Sequence, residues 1–271
     1  MSHPRGRARG DERGKDPQLT RGQALDELCY LATVEHALCV DYLQIHYALG
    51  GDVEPQASAG DSAERVFAAA QQSLSMAENE MTHLRQVNRA LVLARREPIL
   101  HRAAHVLPPS GPAIPLGSFM PGQFERFPER DRSIASTVDR RYALLQSAVV
   151  SPASPFEGEL LDQITFLLES TADHTTPVSA LADHLTGLAP SEYLRATRIE
   201  PADELERTLL ALSDRYYQVI VATLAASFEH DEQVGGQLRT VAVSTMDRLN
   251  DVNRLLVTRG LIPAFAVSPT Q

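Results

Sequence analysis

Glu80 and His83 stand three residues apart in the string MAENEMTHLRQV, an E-x-x-H that on a helix projects one carboxylate and one imidazole from the same face, about one turn apart. Upstream, Glu35 occupies an apolar row with Leu31, Leu38 and Tyr42 as its neighbours, where an unpaired carboxylate is expensive to bury. A cation resolves both anomalies. Two carboxylates and an imidazole offer hard oxygen and borderline nitrogen donors suited to iron, manganese or zinc. One Glu on one helix and E-x-x-H on the next make half of a carboxylate-bridged dimetal site of the kind helical bundles carry. E-x-x-H alone arises by chance in many amphipathic helices. Its placement on a buried seam, opposite a second seam Glu, gives it weight.

The matching half is less regular. His174 falls on the seam of a later helix, but Thr171 and Ser170 stand three and four residues before it, where a carboxylate is expected. Glu169 is the nearest acid. In an unbroken helix it points roughly away from the seam, and it joins the site only if a bulge, or a kink near Pro177, rotates that turn. Asp183 and His184 repeat the A-D-H string of Ala172 to His174 but read as a surface or pocket rim. Glu229, His230, Asp231 and Glu232 read as a solvated helix end. His101 and His105 lie in a connection and take no role.

The elements that must position these groups are helices, since Ala, Leu, Glu and Arg abound while alternating Val/Ile/Thr runs are few, and no convincing strand stands out. Residues 1–19 are rich in Gly, Arg, Lys and Asp and read as a disordered tail; residues 20–262 form one helical domain and 263–271 a C-terminal tail. A first helix is expected over Arg21–Leu49, closed by Gly50 and Gly51. A second starts at Asp61, which with Glu64 makes a D-x-x-E capping pattern, and ends before Pro98. Seven prolines between Glu97 and Arg132 exclude a long helix there and suggest an extended crossover of the kind that joins the two hairpins of a ferritin-like bundle. Helices over Ser133–Val150 and Glu159–Leu188 follow, the latter kinked or interrupted by Pro177. Two closing helices, Ala202–Phe228 and Gln237–Thr258, are expected about a turn containing Gly235 and Gly236.

A formal net charge of −10 disfavours nucleic acid or an anionic membrane as partner and leaves a small molecule or a protein. No apolar run reaches the roughly 18 residues of a membrane span, and the first residues lack the apolar middle of a signal peptide, so a cytoplasmic location is expected. Cys29 and Cys39 lie on one helix about 15 Å apart and cannot pair; they read as buried thiols. Exposed faces of the closing helices suit a homodimer.

The stretches LCYLATVEHALCVDYLQIHYAL and MAENEMTHLRQVNRALVLARREPIL resemble the ferritin-like domain family named for iminophenyl-pyruvate dimer synthase, found in violacein and rebeccamycin-type pathways. The matching residues are Glu35 with Tyr42 and Leu43, and Glu80, Met81, His83 and Leu84. STVDRRYALLQ is similar to that family's third-helix segment, and SDRYYQVIVATL with VAVSTMDRLNDVNRLL to its closing hairpin. The resemblance implies an all-α, ferritin-like four-helix bundle with a long crossover and two additional C-terminal helices. It also implies a non-haem iron oxidase or oxygenase of natural-product biosynthesis, with one or two ions, using O2 on an amino-acid-derived or aromatic substrate. Glu35, Glu80, His83, His174 and Glu169 are the metal candidates, with Tyr42, Arg140 and Tyr142 as substrate contacts. Where the family places a third-helix Glu, this chain has Arg140 and Arg141 before Tyr142, with Asp139 the only adjacent carboxylate. A guanidinium there repels a cation and favours a substrate carboxylate. Two other readings therefore stand: a ferritin-like scaffold that binds a metabolite or partner without redox chemistry, and a metal-independent lyase or cyclase using Glu80 and His83 as acid and base.

Overall fold

Two long helices open the chain in the computed structural model, which describes residues 19–55, 60–108, 112–116, 127–151, 154–171, 173–230 and 232–266. The expected tail therefore lies outside the described residues up to residue 18. Helix α1 spans Arg21–Ala48 and starts from a capping box, Thr20 accepting from the Gln23 N–H while the Gln23 side chain accepts from that of Thr20. It ends where Gly50 and Gly51 take positive φ values of 114° and 64°, which lets their N–H groups bond back to Tyr47 and His46. Helix α2 spans Asp61–Leu93. Asp61 is its first helical residue rather than its cap: Gly60 holds the cap position without a side-chain bond, so Asp61 and Glu64 act by placing negative charge at the positive helix end.

The crossover holds two short strands that the sequence did not announce, β1 (His105–Val106) and β2 (Ile114–Pro115), paired antiparallel. Proline fits such an edge, where its missing N–H costs no ladder bond. Pro109 and Pro121 lie outside the described residues. Helix α3 begins at Phe127, ahead of the expected Ser133, and runs to Val150. Pro128 does not prevent this, because a first helical turn has no use for that N–H.

The expected fourth helix is two. Helix α4 covers Gly158–Ser170 and α5 covers Thr175–Leu185, so of a kink and an interruption it is the interruption that occurs, a few residues before Pro177. A proline at the centre of a continuous helix would clash with the carbonyl four residues back; in the first turn of a new one it is harmless. The Asp173 carboxylate seals that new start by accepting from the Thr176 N–H at 2.9 Å. A short α6 (Pro190–Tyr193) leads to α7 (Glu204–Glu229) and α8 (Glu232–Thr258). Gly235 and Gly236 sit inside α8, not in the turn. A side chain at Gly235 would meet the Ser227 carbonyl oxygen at 2.6 Å, so glycine here serves the close approach of α7 to α8.

Helices α1, α2, the α4–α5 pair and α3 surround one core, each packing on its neighbour around the ring. The α7–α8 hairpin covers the back of α1 and makes a second core with Val40, Tyr47, Tyr217 and Phe265. With apolar partners on both sides, α1 buries 19 of its 28 residues. The segment set aside as a C-terminal tail contributes buried Pro263 and Phe265, and the Pro263 carbonyl accepts from Gln44. Cys39 is a buried free thiol and Cys29 a half-buried one. No helix among the described residues is long and apolar enough to cross a membrane.

Candidate metal centre

Four buried side chains from two helices and one joint converge inside the ring. Glu35 comes from α1, Glu80 and His83 from α2, and His174 from the joint between α4 and α5. One donor atom from each lies within 4.8 Å of all the others. His83 Nδ1 is 3.0 Å from Glu80 Oε2 and 3.5 Å from Glu35 Oε2, and His174 Nε2 is 3.6 Å from Glu80 Oε2. The two rings meet edge to face with centroids 5.3 Å apart.

The outer partners fix what each ring presents to the centre. His83 Nε2 lies 3.1 Å from the Ser170 carbonyl, which only accepts, so Nε2 carries the hydrogen and Nδ1 faces inward. His174 Nδ1 is 2.7 Å from Asp139 Oδ1, and its backbone N–H also donates to that oxygen, so Nε2 is the inward atom. A carboxylate behind a histidine sets tautomer and orientation in this way at metal sites. Tyr142 donates to Glu35 Oε1 at 2.6 Å and stacks on His174 at 5.8 Å between centroids, leaving Glu35 Oε2 for the centre. Neither Glu35 Oε2 nor His174 Nε2 has a hydrogen-bond partner.

With neutral rings, two nitrogen lone pairs and two carboxylates would thus face one another with nothing positive between them. A buried arrangement of that kind demands protons or a cation. The titration of the metal-free protein expresses the same demand. Burial opposes charge on His83, but the Glu35 and Glu80 carboxylates beside it win and carry its pKa up to about 10. His174 is raised well above the ordinary range, burial being outweighed by Glu80 and Asp139. At Glu80 burial is outweighed by His174, and its pKa is lowered; at Glu35 burial and the Glu80 charge raise it. The donor set fits a metal ion, which would take the place of those protons. A cleft of about 190 Å3 bordered by Met76, Asn79, Thr82, Ser170, Asp173 and Pro177 reaches Glu80, His83 and His174.

Of the remaining sequence candidates, Tyr142 is at the centre and Glu169 and Arg140 are not. Glu169 is exposed, because α4 keeps its regular geometry through Ser170 and the break comes after it; no bulge turns this carboxylate inward. Arg140 is exposed on α3, and it is the neighbouring Arg141 that turns to the protein, pairing with Glu27 at 2.6 Å and lying over the Tyr30 ring. Tyr142 orients a candidate ligand. Tyr42 is buried within the bundle, where burial and the nearby Asp131 raise its phenol well up. Asp139, noted in the sequence as the only carboxylate beside Arg140 but given no role there, is the group behind His174; its signal was its position one turn before Tyr142 on the same face of α3.

Comparison with known proteins returns no matching family model, no matching curated protein and no matching solved structure. Fold and site together define a helical protein with a buried carboxylate and histidine cluster able to hold a metal ion.

Proposed function

We propose that this protein is a non-haem metal-dependent oxidase or oxygenase of ferritin-like architecture, holding one iron ion through Glu35, Glu80, His83 and His174. The observation that carries the reading is the convergence of four buried donors in which Glu35 Oε2 and His174 Nε2 have no other partner. One ion is favoured over two because the additional carboxylates a second would need are committed elsewhere. Asp139 serves His174 and Thr175, and Glu169 faces solvent. Iron suits a mixed oxygen and nitrogen set and, when bound, supplies one-electron and O2 chemistry that side chains lack.

The chain's own residues do the rest. Asp139 and the Ser170 carbonyl hold the two imidazoles in the tautomers that face inward. Tyr142 fixes Glu35 through one oxygen. The cleft beside α4–α5 admits a small substrate, with Thr82, Asn79 and Asp173 as its polar border and Met76 and Pro177 as its apolar one. An amino-acid-derived or aromatic molecule matches that mixture. Arg140, the reason for considering a scaffold without redox chemistry, is exposed and so does not bear on the cluster.

The test is anaerobic loading with Fe(II) followed by O2. An oxygen-dependent absorption change in the native protein, absent from Glu80→Ala and His83→Ala, is expected along with loss of bound iron in both variants. Unchanged metal content in the variants, or no response to O2 in the loaded protein, defeats the reading.

A further inference from the structure

A second cavity, of about 240 Å3, lies on a different face of α2, between the α1–α2 hairpin and the α7–α8 hairpin. Its body is apolar, with Leu43, Met81, Ile220, Leu224, Met246 and Phe265 among its walls. The inner end carries Cys39 and a buried pair, Tyr217 Oη and His36 Nε2, hydrogen-bonded at 2.5 Å. Cys39, His36 and Tyr217 are all buried, and the described residues lining this end include no carboxylate. The other end is acidic. Asp52 lies there against His46 and Asn250, Glu78 acts on the same His46, and Asp247 stands one turn before Asn250 on α8. None of the described residues lining the cavity is Lys or Arg. Two guanidiniums act on lining residues without themselves lining the cavity: Arg102, 5.7 Å from the Tyr217 ring centroid, and Arg254, whose charge acts on Asp52.

An apolar chamber with three carboxylates at one end and none at the other selects on two counts. Its walls reward burial of hydrocarbon, and its acidic end penalises anions while attracting a cation. The volume falls below the roughly 300 Å3 at which drug-sized pockets begin, which limits the occupant to one or two rings or an equivalent alkyl body. We infer that this cavity is a binding site for a small hydrophobic amine, seated with its rings among Leu43, Met81, Leu224 and Met246 and its ammonium toward Asp52, Glu78 and Asp247. The site is independent of the metal centre, whose donors project from another face of α2.

The chain has no tryptophan, so a naphthalene probe can be followed by its own emission. Titration with 1-naphthylmethylammonium is expected to show saturable one-to-one binding with a blue shift, and 1-naphthylacetate, the same ring bearing a negative charge, to bind at least about ten-fold more weakly. The double variant Glu78→Gln/Asp247→Asn, at two exposed helix positions, is expected to lose about ten-fold in amine affinity, the sum of two rim charges. Val221→Phe fills the cavity and is expected to abolish binding. Glu80→Ala, which strips the metal centre, is expected to retain it, so that failure here and failure of the oxidase reading are separate results. Equal affinity for amine and acetate, or undiminished amine affinity in the charge double variant, overturns the inference. The charge variants decide the point even where Val221→Phe fails to fold.

Discussion

The protein buries carboxylates in two different ways. Asp41 and Asp131 come with their own cation: Arg130 reaches Asp41 at 2.8 Å and Asp131 at 3.0 Å. Glu206 is likewise held between Arg198 at 2.9 Å and Arg259 at 3.1 Å. Glu35 and Glu80 are as deeply buried, yet their ion pairs among the described residues are with histidines alone. A guanidinium is charged at every accessible pH and cannot be displaced by an ion, whereas an imidazole gives up its proton to one. The first arrangement ties elements together; the second is a cluster able to hold a cation. The separation is not perfect even within the first, since one arginine serves two aspartates, and burial raises Asp131 to about 7 against it.

The contrast breaks most visibly on removal of each cation's partner. Glu80→Ala and His83→Ala are expected to weaken ion binding by more than about 100-fold in calorimetric titration with Zn(II) or anaerobic Fe(II). Arg130→Met is expected to leave ion binding intact while costing about 3–5 kcal/mol in urea unfolding, because it strands two buried carboxylates. Loss of ion binding in Arg130→Met would erase the distinction.

A smaller effect is expected from Asp139→Asn, which keeps the size of the group behind His174 but removes its charge: ion affinity falls by about 10- to 100-fold with little change in melting temperature.

The pH dependence sharpens the same point. His83 is raised from 6.5 to about 10, so its contribution to the metal-free fold is complete below about 6.5 and is lost as pH rises through 10. Asp131, raised from 3.8 to about 7, has the same sign but spends its effect by pH 7. Urea midpoints of the metal-free protein are therefore expected to fall between pH 7 and 10, less steeply in His83→Asn. Ion affinity should rise over that range as the rings deprotonate. A flat metal-free profile would mean that the histidines are neutral without an ion.

The smallest effect belongs to Tyr142→Phe, which removes one hydrogen bond to Glu35: about 1 kcal/mol of stability and less than about five-fold in ion affinity, read by the same two measurements.

Much of this was legible in advance where a single helix carried the signal. Glu35 and the E-x-x-H of Glu80 and His83 lie on regular helices whose ends are written in Thr20, Gly50 and Gly51, so periodicity brought them to one interior. The α4–α5 region was read less well because a proline says that a helix cannot continue without saying where it stops. His174 reached the site although the continuous helix used to place it does not exist, and Glu169 failed to because the break fell one residue too late to turn it. Asp139 was noted but received no role, because that role depends on a partner 35 residues away. The apolar amine cavity left no local mark, being made where two hairpins meet. Glycines 235 and 236 were read as a turn because glycine has two uses, and close helix contact was the one that applied.

The joint between α4 and α5 is where one absent backbone bond is spent twice. In an uninterrupted helix the His174 N–H would donate to the Ser170 carbonyl, and each would be consumed by the other. The break frees both ends of that bond: the carbonyl goes to the imidazole of His83, and the N–H to the carboxylate that steadies His174. Straightening this stretch would therefore cost the centre the support of both its histidines at once, while a scan of side-chain contacts alone would show no reason for it.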